Sequence, residues 1–557
     1  MGQPAPGLAV HLLSAIVIGV TYALLFRPAL GGYSKALMSG TAYGLLWWIL
    51  LPLSLLPALA GRGPAWPVEA AASAFPALLG YLFQGAAVGI GCHALSETAA
   101  HGLGAADEQT EKPERPAIQH RIVILGGGFA GVTTAQRLER LFAGDDTVAI
   151  TLVSNANHLV FTPMLSEVTA GGVEGQHVCA SLRAFFRRVQ VIRGEAKTVD
   201  LAARVVQLRS DGVSSLSAVP FDQLVLAVGS VPNFFDLESA KAAAHTFKSL
   251  EDASALRNHV IEMLERADFE QDAARRKALL TFVVAGGGFA GTELIGGLND
   301  FVRGSLWYYP NLLPEDISLI LVHSGQRILP ELSPELAEYA RERLDARGVT
   351  LKLGARVSEI VPGRVTLNNG QMVATETLVW TAGSRPHPMI SELGLETDGR
   401  GAAKTDATLA VLGRSNMWAV GDCAAIPDAR TGKLAPPTAQ HALREAAVLA
   451  QNIHAAIRGG KPKPFSHRSM GSFAILGHRT ACAEIRGLRF SGSLAWLMWR
   501  GIYLFKLPNP EKRIRVALDW VVDIFFPRDI VQTSTFHRWA QPAPGPQQVP
   551  WAAKEGN

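Results

Sequence analysis

The 557-residue sequence predicts an α/β protein with two copies of one strand–loop–helix unit, an apolar helical region before them and an amphipathic region after them. Two observations carry this prediction. The glycine-rich string GGGFAG occurs twice, 160 residues apart, each time after a short apolar run and before a helical pattern. The first hundred residues contain three long stretches without Asp, Glu, Lys or Arg. A multidomain body with membrane segments attached accounts for both.

The overall composition agrees with a partly membrane-embedded protein and excludes several function classes. Charged residues make up 18% of the chain, below the roughly 25% typical of soluble domains, and hydrophobic residues make up 48%. A formal net charge of +4 is too small to indicate a nucleic-acid partner. The four cysteines form no CxxC pair, so we expect neither a disulfide framework nor a metal site.

The N-terminal region, residues 1–104, is predicted to form three transmembrane helices. Its uncharged stretches are Leu8–Phe26, Ala36–Gly61 and Ala70–Leu95, and about 20 apolar residues suffice to span a bilayer as a helix. Buried helices of a soluble protein are the alternative. Arg27 and Lys35 in the first connection place that loop, and with it the body, in the cytoplasm. We therefore expect a multi-pass protein of the bacterial cytoplasmic membrane.

Within the third stretch, the run Gly85–Gly89 has small residues at the spacing of a close helix-packing face. Glycines that merely happen to lie in an apolar helix are the alternative interpretation.

The first glycine loop follows the apolar run Ile122–Leu125 and has GxGxxG spacing in Gly126, Gly128 and Gly131. In a Rossmann-like unit the first glycine permits a tight turn, the second lets the backbone approach a pyrophosphate, and the third lets the helix pack on the strand. The second loop repeats this spacing in Gly286, Gly288 and Gly291. Two such loops predict two dinucleotide-binding domains.

Neither unit has the acid that usually binds a ribose hydroxyl about 20 residues after the loop. Ser154 follows the second strand of the first unit, and His323 follows that of the second. A histidine there removes the negative charge that would repel a 2′-phosphate, so NADPH is not excluded beside NADH. Alternatively, His323 only caps its strand.

From Arg121 to about Arg538 the chain resembles the type II NADH dehydrogenases, the single-subunit, non-pumping NADH:quinone oxidoreductases. Besides the loops, the resemblance rests on NHLVFTPMLSEVTAGG, LVLAVGSVPN, WAVGDCA and PPTAQHALREA. It implies FAD at the first loop, with Pro163 beside the flavin ring, Asp422 on the ribitol and Gln440 under the flavin. The implied FAD residues are Gly126, Gly128, Phe129, Ala130, Gly131, Ser154, Pro163, Gly229, Asp422, Ala439 and Gln440.

The same resemblance implies NAD(P)H at the second loop and a membrane quinone as the electron acceptor. Glu293, Gln440 and Arg444 are the implied catalytic residues. Arg444 departs from the family pattern, which has a second glutamine there, so a related flavin reductase with a non-quinone acceptor is the alternative; a membrane redox sensor is a further one. The implied NAD(P)H residues are Gly286, Gly288, Phe289, Ala290, Gly291, Glu293, His323 and Gly383.

Each of these residues also has a purely structural interpretation. Pro163 suits a loop, Glu293 the first turn of a helix, Asp422 a turn and Gln440 a solvated helix face. Their joint order along the chain favours the functional interpretation.

These motifs divide the chain into predicted segments. After the N-terminal region come a linker (105–119), the first part of the FAD-binding domain (120–240), the NAD(P)H-binding domain (241–374) and the second part of the FAD-binding domain (375–460). A membrane-associating region (461–540) and a disordered tail (541–557) complete the chain.

An amphipathic pattern predicts the membrane-associating region, which would bind the body to a lipid bilayer. Apolar residues recur at helical spacing between Ile514 and Phe526. Trp496, Trp499, Tyr503 and Trp520 are of the type found at membrane interfaces. A helix that covers the core of the body, or a homodimer interface, is the alternative.

Overall fold

A computed structural model describes residues 18–23, 32–59, 61, 68–103, 117–209, 217–468 and 470–532. The chain divides into two compact units, Met1–Arg115 and Pro116–Asn557. Most of the first predicted transmembrane stretch, most of the predicted linker and the whole predicted tail lie outside the described residues.

The first unit contains two long apolar helices where the second and third stretches are predicted. One runs through Tyr33–Leu50, a π-helical turn at Leu51–Leu55 and Leu56–Leu59, and the other is Val68–Leu103. Pro52 has no N–H to donate, which accounts for the irregular turn. The segments Lys35–Ala58 and Phe75–Thr98 are long and apolar enough to cross a membrane, by length and composition.

Glycines set how closely these two helices approach each other. A Cβ added at Gly40 would overlap the carbonyl oxygen of Gly85, and one at Gly44 would overlap that of Tyr81. A Cβ at Gly89 would meet the carbonyl oxygen of Ala36. The predicted packing face at Gly85–Gly89 is therefore confirmed: the backbones touch because side chains are missing.

The second unit is built around two parallel five-stranded sheets. In the first sheet the strand that precedes the first loop lies in the centre, as expected for a Rossmann-like unit. A late strand, Met417–Ala419, joins this sheet beside Gln223–Leu226. Across the sheet the strands are Met417–Ala419, Gln223–Leu226, His120–Leu125, Val148–Ser154 and Gln190–Arg193.

The second sheet has the same plan around the strand that precedes the second loop. Its strands, in order across the sheet, are His245–Thr246, Thr377–Trp380, Thr281–Ala285, Ser318–His323 and Val349–Leu353. The predicted domain boundary at 374 is wrong, because Thr377–Trp380 pairs with both Thr281–Ala285 and His245–Thr246. The second domain therefore extends through Trp380.

The two domains are joined by a short antiparallel ribbon in which Ser230–Pro232 pairs with Ser384–Pro386. Smaller antiparallel sheets flank each domain. They consist of Glu195–Asp200, Val205–Arg209 and Ser217–Pro220; of Val357–Val361, Arg364–Leu367 and Met372–Ala374; and of the pair His158–Val160 with Cys179–Ser181. The short strands Ala403–Lys404 and Ala424–Ala425 pair in parallel.

Helices cover the faces of both large sheets and bury their apolar residues. The helices of the two domains are Phe129–Leu141, Leu165–Thr169, Glu238–Ala243, Leu250–Phe269, Ala273–Leu279, Phe289–Ser305, Pro334–Asp345, Met389–Glu392 and Ala439–Arg458. We name Phe129–Leu141 the first-loop helix, Phe289–Ser305 the second-loop helix and Ala439–Arg458 the late helix.

The C-terminal part is a folded domain with its own sheet, which the sequence did not predict. Ser472–Ile475, Ala481–Ile485 and Leu488–Ser491 form three antiparallel strands, followed by the helices Gly492–Lys506 and Pro510–Phe525. The placement of Trp499 and Trp520 at a membrane interface is wrong. Both are buried, at 0% and 6% exposure, in a core shared with Phe161 and Met164 of the first domain.

The opposite face of the last helix is exposed, as its amphipathic pattern predicts. Val516 and Trp520 point into the body, because residues four apart lie on one side of a helix. We give the name C-terminal apolar face to the exposed apolar side chains of the last two helices and of the residue that follows them, which are Leu494, Leu497, Phe505, Ile514, Leu518, Val521, Val522, Ile524, Phe525 and Phe526.

Gly85→Ala is expected to destabilise the first unit, because its new Cβ meets the backbone of the facing helix at Gly40 and Gly44. Overpacking of this kind costs roughly 1–3 kcal/mol. Thermal unfolding in detergent, followed by proteolysis within residues 33–98, measures the effect. Gly91→Ala is the matched control, since a Cβ there meets no atom within 4 Å. Equal unfolding temperatures of the two variants would contradict the close helix contact.

Candidate functional site

The first glycine loop has the geometry that its spacing predicts. Gly126 has φ +115°, and its Cβ would overlap the carbonyl oxygen of Ala227 on the neighbouring strand. A Cβ at Gly131 would overlap the carbonyl oxygen of Gly126. The fold therefore requires glycine at both positions, because only a residue without a Cβ lets the first-loop helix pack so closely on its strand. Phe129 and Ala130 begin that helix.

The second loop repeats this geometry almost atom for atom. Gly286 has φ +121° against the backbone of Thr381, and a Cβ at Gly291 would overlap the carbonyl oxygen of Gly286. Phe289 and Ala290 begin the second-loop helix.

The middle glycine of each loop is free of such constraints. Gly128 and Gly288 are the N-cap residues, with φ −81° and −77°, and a Cβ at either position meets no atom within 4 Å. Protein packing therefore does not explain why a side chain is missing there. The first N–H groups of a helix lack intrahelical partners and favour anionic ligands. The residues at both loops thus fit the pyrophosphate of a dinucleotide.

The two residues that replace the expected acids lie directly beneath the loops. Ser154 is buried at 6% exposure, and its Oγ lies against Gly127. His323 accepts a hydrogen bond from the N–H of Gly287 on Nδ1, at 3.1 Å. Burial lowers the pKa of His323, in agreement with a neutral ring that accepts this bond. The histidine thus holds the loop and leaves the ribose position without a negative charge.

The predicted ribitol ligand, Asp422, lies in a short polar network that connects both domains. The Oγ of Ser230, in the connecting ribbon, donates to Asp422 Oδ2 at 2.7 Å. Lys248 donates to the same Oγ from the start of the second domain. Burial lowers the pKa of Lys248, and the Asp422 carboxylate partly opposes this.

A buried carboxyl group supports the turn that carries Asp422. Glu445 of the late helix is 3% exposed and accepts a hydrogen bond from the N–H of Gly421 at 3.0 Å. The pKa of Glu445 is raised to about 7, mainly by burial. The Gly421 bond opposes this rise, and the charge of Asp422 contributes to it. Glu445 therefore positions the Asp422 turn.

Gly229 and Gly383 each precede one strand of the connecting ribbon and lie at its opposite ends. The carbonyl of Gly229 accepts from the N–H of His387 at 3.1 Å, and that of Gly383 accepts from the N–H of Asn233 at 3.0 Å. The carbonyl groups of both glycines therefore stabilise the ribbon. Pro163 lies in the short 3-10 turn Thr162–Met164, next to the buried Phe161.

Glu293 lies just after the first turn of the second-loop helix and reaches the C-terminal domain. Its Oε1 accepts from the N–H of Ile475 at 3.2 Å. The residue keeps some accessible surface, but its carboxyl group lies deep among protein atoms. The pKa of Glu293 is raised to about 8, mainly by burial. The Ile475 bond opposes this rise, and the charge of Glu167 contributes to it. A carboxyl group with a pKa near neutrality can exchange protons during turnover.

The remaining predicted residues lie at the start of the late helix. Ala439 is its first residue and Gln440 the second, behind Thr438 as N-cap. Arg444 is exposed on the next turn. Its charge lowers the pKa of both Lys506 and His467, although burial is the larger cause for each. Arg444 therefore belongs to a cationic cluster that includes the end of helix Gly492–Lys506.

A row of aromatic rings connects the first loop with the C-terminal domain. Phe129 and Phe161 have ring centroids 6.0 Å apart, and Phe161 and Tyr503 5.8 Å apart. Tyr503 also packs on Trp499 at 4.7 Å. Burial raises the pKa of Tyr503, and the charge of Glu293 raises it further. The structure thus brings Glu293 close to the aromatic row that begins at Phe129.

Sequence reasoning assigned no role in this site to Ser230, Lys248, Glu445 or Tyr503. Glu445 is part of the quoted ALREA string, and Ser230 directly follows Gly229, so both lay within motifs already identified. Their partners are distant in sequence, however, and no local spacing indicates such contacts.

Two family models match the chain. The pyridine nucleotide-disulphide oxidoreductase model covers residues 120–446, more than half of the chain, and the NDH2 C-terminal domain model covers residues 469–529. The second match corresponds to the domain that buries Trp499 and Trp520.

Proteins of similar sequence and a solved structure of similar fold agree with these two family models. The type II NADH:quinone oxidoreductase Ndh of Mycobacterium tuberculosis is 29% identical over 429 residues, which are 74% of this chain and 90% of that protein. The demethylphylloquinone reductase NdbB of Synechocystis is 30% identical over 408 residues, 72% of this chain and 95% of that one. The fold is similar to that of NDH2 from Plasmodium falciparum, solved with NADH, with a TM-score of 0.69 at 18% identity, covering 74% of this chain and 99% of that one. The chain therefore belongs to the pyridine nucleotide-disulphide oxidoreductase family and, within it, to the type II NADH dehydrogenases.

Proposed function

We propose that this protein oxidises NADH with the help of FAD and passes two electrons to a membrane quinone, without pumping protons. The observation that carries the proposal is the pair of dinucleotide loops in one body, each with a middle glycine that protein packing leaves open. The relatives named as NADH:quinone oxidoreductases support the same conclusion.

FAD, when bound, supplies the two-electron chemistry. Gly128 and the first turn of its helix would hold the pyrophosphate, and Asp422 would hold the ribitol. Lys248 and Ser230 keep the Asp422 carboxylate oriented, and Glu445 keeps its turn in place.

At the second loop, Gly288 would admit the pyrophosphate of the nicotinamide dinucleotide. His323 places no negative charge beside the ribose, so this pocket is compatible with NADPH as well as NADH. Glu293 holds a proton on its carboxyl group up to about pH 8 and would lie at the nicotinamide end of the site.

The acceptor proposal rests on the surface around Arg444. Exposed apolar side chains, Leu443 and Phe505, lie near the cations of Arg444 and Lys506. A quinone presents an apolar ring with carbonyl oxygens that accept hydrogen bonds, and this combination fits such a surface. Cys423 does not favour a disulfide acceptor, because burial raises the pKa of its thiol to about 11.

The C-terminal apolar face supports the proposal that the body binds to a lipid bilayer, which is where a lipid quinone dissolves. Large exposed apolar patches mark interaction sites, and Lys506, Lys512, Arg513 and Arg515 lie beside this one. Together with the two long apolar helices, it supports a multi-pass protein of the bacterial cytoplasmic membrane whose body faces the cytoplasm. A homodimer through the same face is the competing outcome, which flotation with lipid vesicles distinguishes from membrane binding.

Rapid mixing of the FAD-loaded protein with NADH tests the function. NADH should bleach the flavin absorbance within the turnover time, and a quinone added next should restore it without consuming oxygen. Bleaching that no benzoquinone or naphthoquinone reverses would contradict the acceptor. Reoxidation by another class of acceptor, such as a ferredoxin, would then favour the related flavin reductase.

Arg444→Gln should raise the quinone KM severalfold and leave bleaching by NADH unchanged, since Arg444 lies on the late helix and not on the elements that carry the second loop. Steady-state kinetics with a quinone series measure the first effect, and rapid mixing measures the second. Lys461→Gln is the control, because it removes an exposed cation beyond the far end of the late helix. An equal effect of both variants would show that only general surface charge matters.

A further inference from the structure

The first unit contains ionisable side chains at one end of its two long helices. Tyr33 begins the first of these helices, and His93 and Glu97 lie one turn apart near the end of the second. His93 and Glu97 fall within the membrane-length segment Phe75–Thr98, and Tyr33 lies two residues before the other such segment. Ionisable residues are rare and costly in membrane spans, where they usually mark a functional site. We name Tyr33, His93 and Glu97 the polar cluster.

The close glycine contact between the two helices brings the polar cluster together. A Cβ at Gly89 would meet the carbonyl oxygen of Ala36, so the helix backbones touch there. Tyr33 lies one turn before Ala36, and His93 lies one turn after Gly89, so both side chains lie at the same end of this contact. Their ring centroids are 4.6 Å apart, with an angle of 87° between the rings. The helix contact therefore holds Tyr33 against His93.

His93 is buried, although the protein gives its ring nitrogens no hydrogen bond. The residue is 7% exposed, and neither Nδ1 nor Nε2 has a partner among the described residues. Oε1 of Glu97 lies 3.7 Å from Nε2, which is longer than a hydrogen bond. A buried polar group without a partner costs free energy, so helix packing alone would favour an apolar side chain here. A ligand therefore explains this histidine better than packing does.

Tyr33 and Glu97 form the accessible side of the polar cluster. The hydroxyl of Tyr33 donates to Glu97 Oε2 at 2.9 Å. Tyr33 is 50% exposed, and so is the side chain of Glu97. The carboxylate thus lies between two groups that can donate, the Tyr33 hydroxyl and a ring nitrogen of His93. An oxygen of a ligand that replaced the carboxylate would meet both donors, and a ligand hydroxyl could donate to Glu97.

The chemistry of the polar cluster favours a neutral ligand over an ion. A phosphate, as in a lipid headgroup, would meet the negative charge of Glu97 in a setting of low dielectric. A metal ion would need more ligands, and the described residues contain no group of three or more His, Cys, Asp or Glu that could hold one. Leu37 and Ile90, one turn from Tyr33 and His93, are exposed apolar side chains. A neutral polar headgroup with a long apolar chain fits both parts.

We propose that the polar cluster binds the headgroup of a membrane quinone, or of the quinol formed from it. The choice of this ligand rests on the proposed function, in which a quinone from the bilayer is the substrate. A quinone carbonyl would accept from Tyr33 and His93, and a quinol hydroxyl would donate to Glu97. This site belongs to the first unit, whereas the acceptor surface around Arg444 belongs to the second. The first unit therefore keeps a substrate or product molecule bound to the same chain.

Photoaffinity labelling of the full-length, FAD-loaded protein in lipid nanodiscs tests the site. The probe is a benzoquinone or naphthoquinone that carries an azido group, and mass spectrometry of peptides locates the label. A saturable fraction should lie within residues 33–46 or 86–98, and an excess of unlabelled quinone should prevent it. Tyr33→Phe keeps the ring that packs on His93 and removes only the hydroxyl. This variant and His93→Phe should each lower the saturable fraction roughly fivefold to tenfold, since each loses a hydrogen-bond donor.

Tyr81→Phe is the matched control, because it removes a hydroxyl from the same helix as His93, more than three turns away. It should be labelled like the parent protein. Helical circular dichroism and flavin bleaching by NADH should be equal in all variants, which shows that both units stay folded.

Three results would overturn the site: labelling of the first unit that unlabelled quinone does not prevent, equal labelling of Tyr33→Phe and Tyr81→Phe, or labelling that only an anionic phospholipid prevents. Quinone reduction by a parent protein whose first unit takes up no saturable label would also overturn the site, and the site alone. Saturable labelling of a parent protein that reduces no quinone would instead overturn the proposed function.

Discussion

The contact between each glycine loop and its own strand is the constraint on which the rest of the body depends. Gly131 lies against the carbonyl of Gly126, and Gly291 against that of Gly286, so each helix begins directly at the end of a central strand. This contact directs the first N–H groups of the helix outward at the sheet edge, where a pyrophosphate can approach. Glu293 lies just after the first turn of one such helix, and its position follows from the same contact.

The loops could be predicted from the sequence because their requirements are local. The positive φ of Gly126 is a property of one residue, and the contact of Gly131 with the carbonyl of Gly126 joins residues in the same loop. The residues that surround the bound groups are different. Glu445 supports a turn 24 residues away, Ser230 and Asp422 are 192 residues apart, and Trp520 reaches Glu167 across 353 residues. Such contacts depend on how the domains fold together, and no spacing in the sequence encodes them.

The C-terminal domain shows why an amphipathic pattern alone is ambiguous. Its tryptophans are of the type found at membrane interfaces, but Trp499 and Trp520 are buried against the first domain, and Trp520 donates a hydrogen bond to Glu167. The outward face of the last helix stays exposed, as do several apolar residues of the helix before it. One helix thus joins the catalytic body to the surface that we assign to the bilayer. The boundary at 374 failed for a related reason, since the strand Thr377–Trp380 belongs to the second sheet, where it pairs with Thr281–Ala285 from a distant part of the sequence.

The central claim, that each loop holds its own dinucleotide, is tested most directly at the middle glycines. Gly128→Val and Gly288→Val introduce side chains where the protein itself leaves open space, at φ values that valine can adopt. The measurement is the FAD-to-protein ratio after purification, together with the NADH concentration that half-saturates flavin bleaching. Gly128→Val should fold and lose FAD, whereas Gly288→Val should keep FAD and need at least tenfold more NADH, since about 1.4 kcal/mol of lost binding is a factor of ten. Loss of FAD from Gly288→Val but not from Gly128→Val, or unchanged binding in both, would contradict the account.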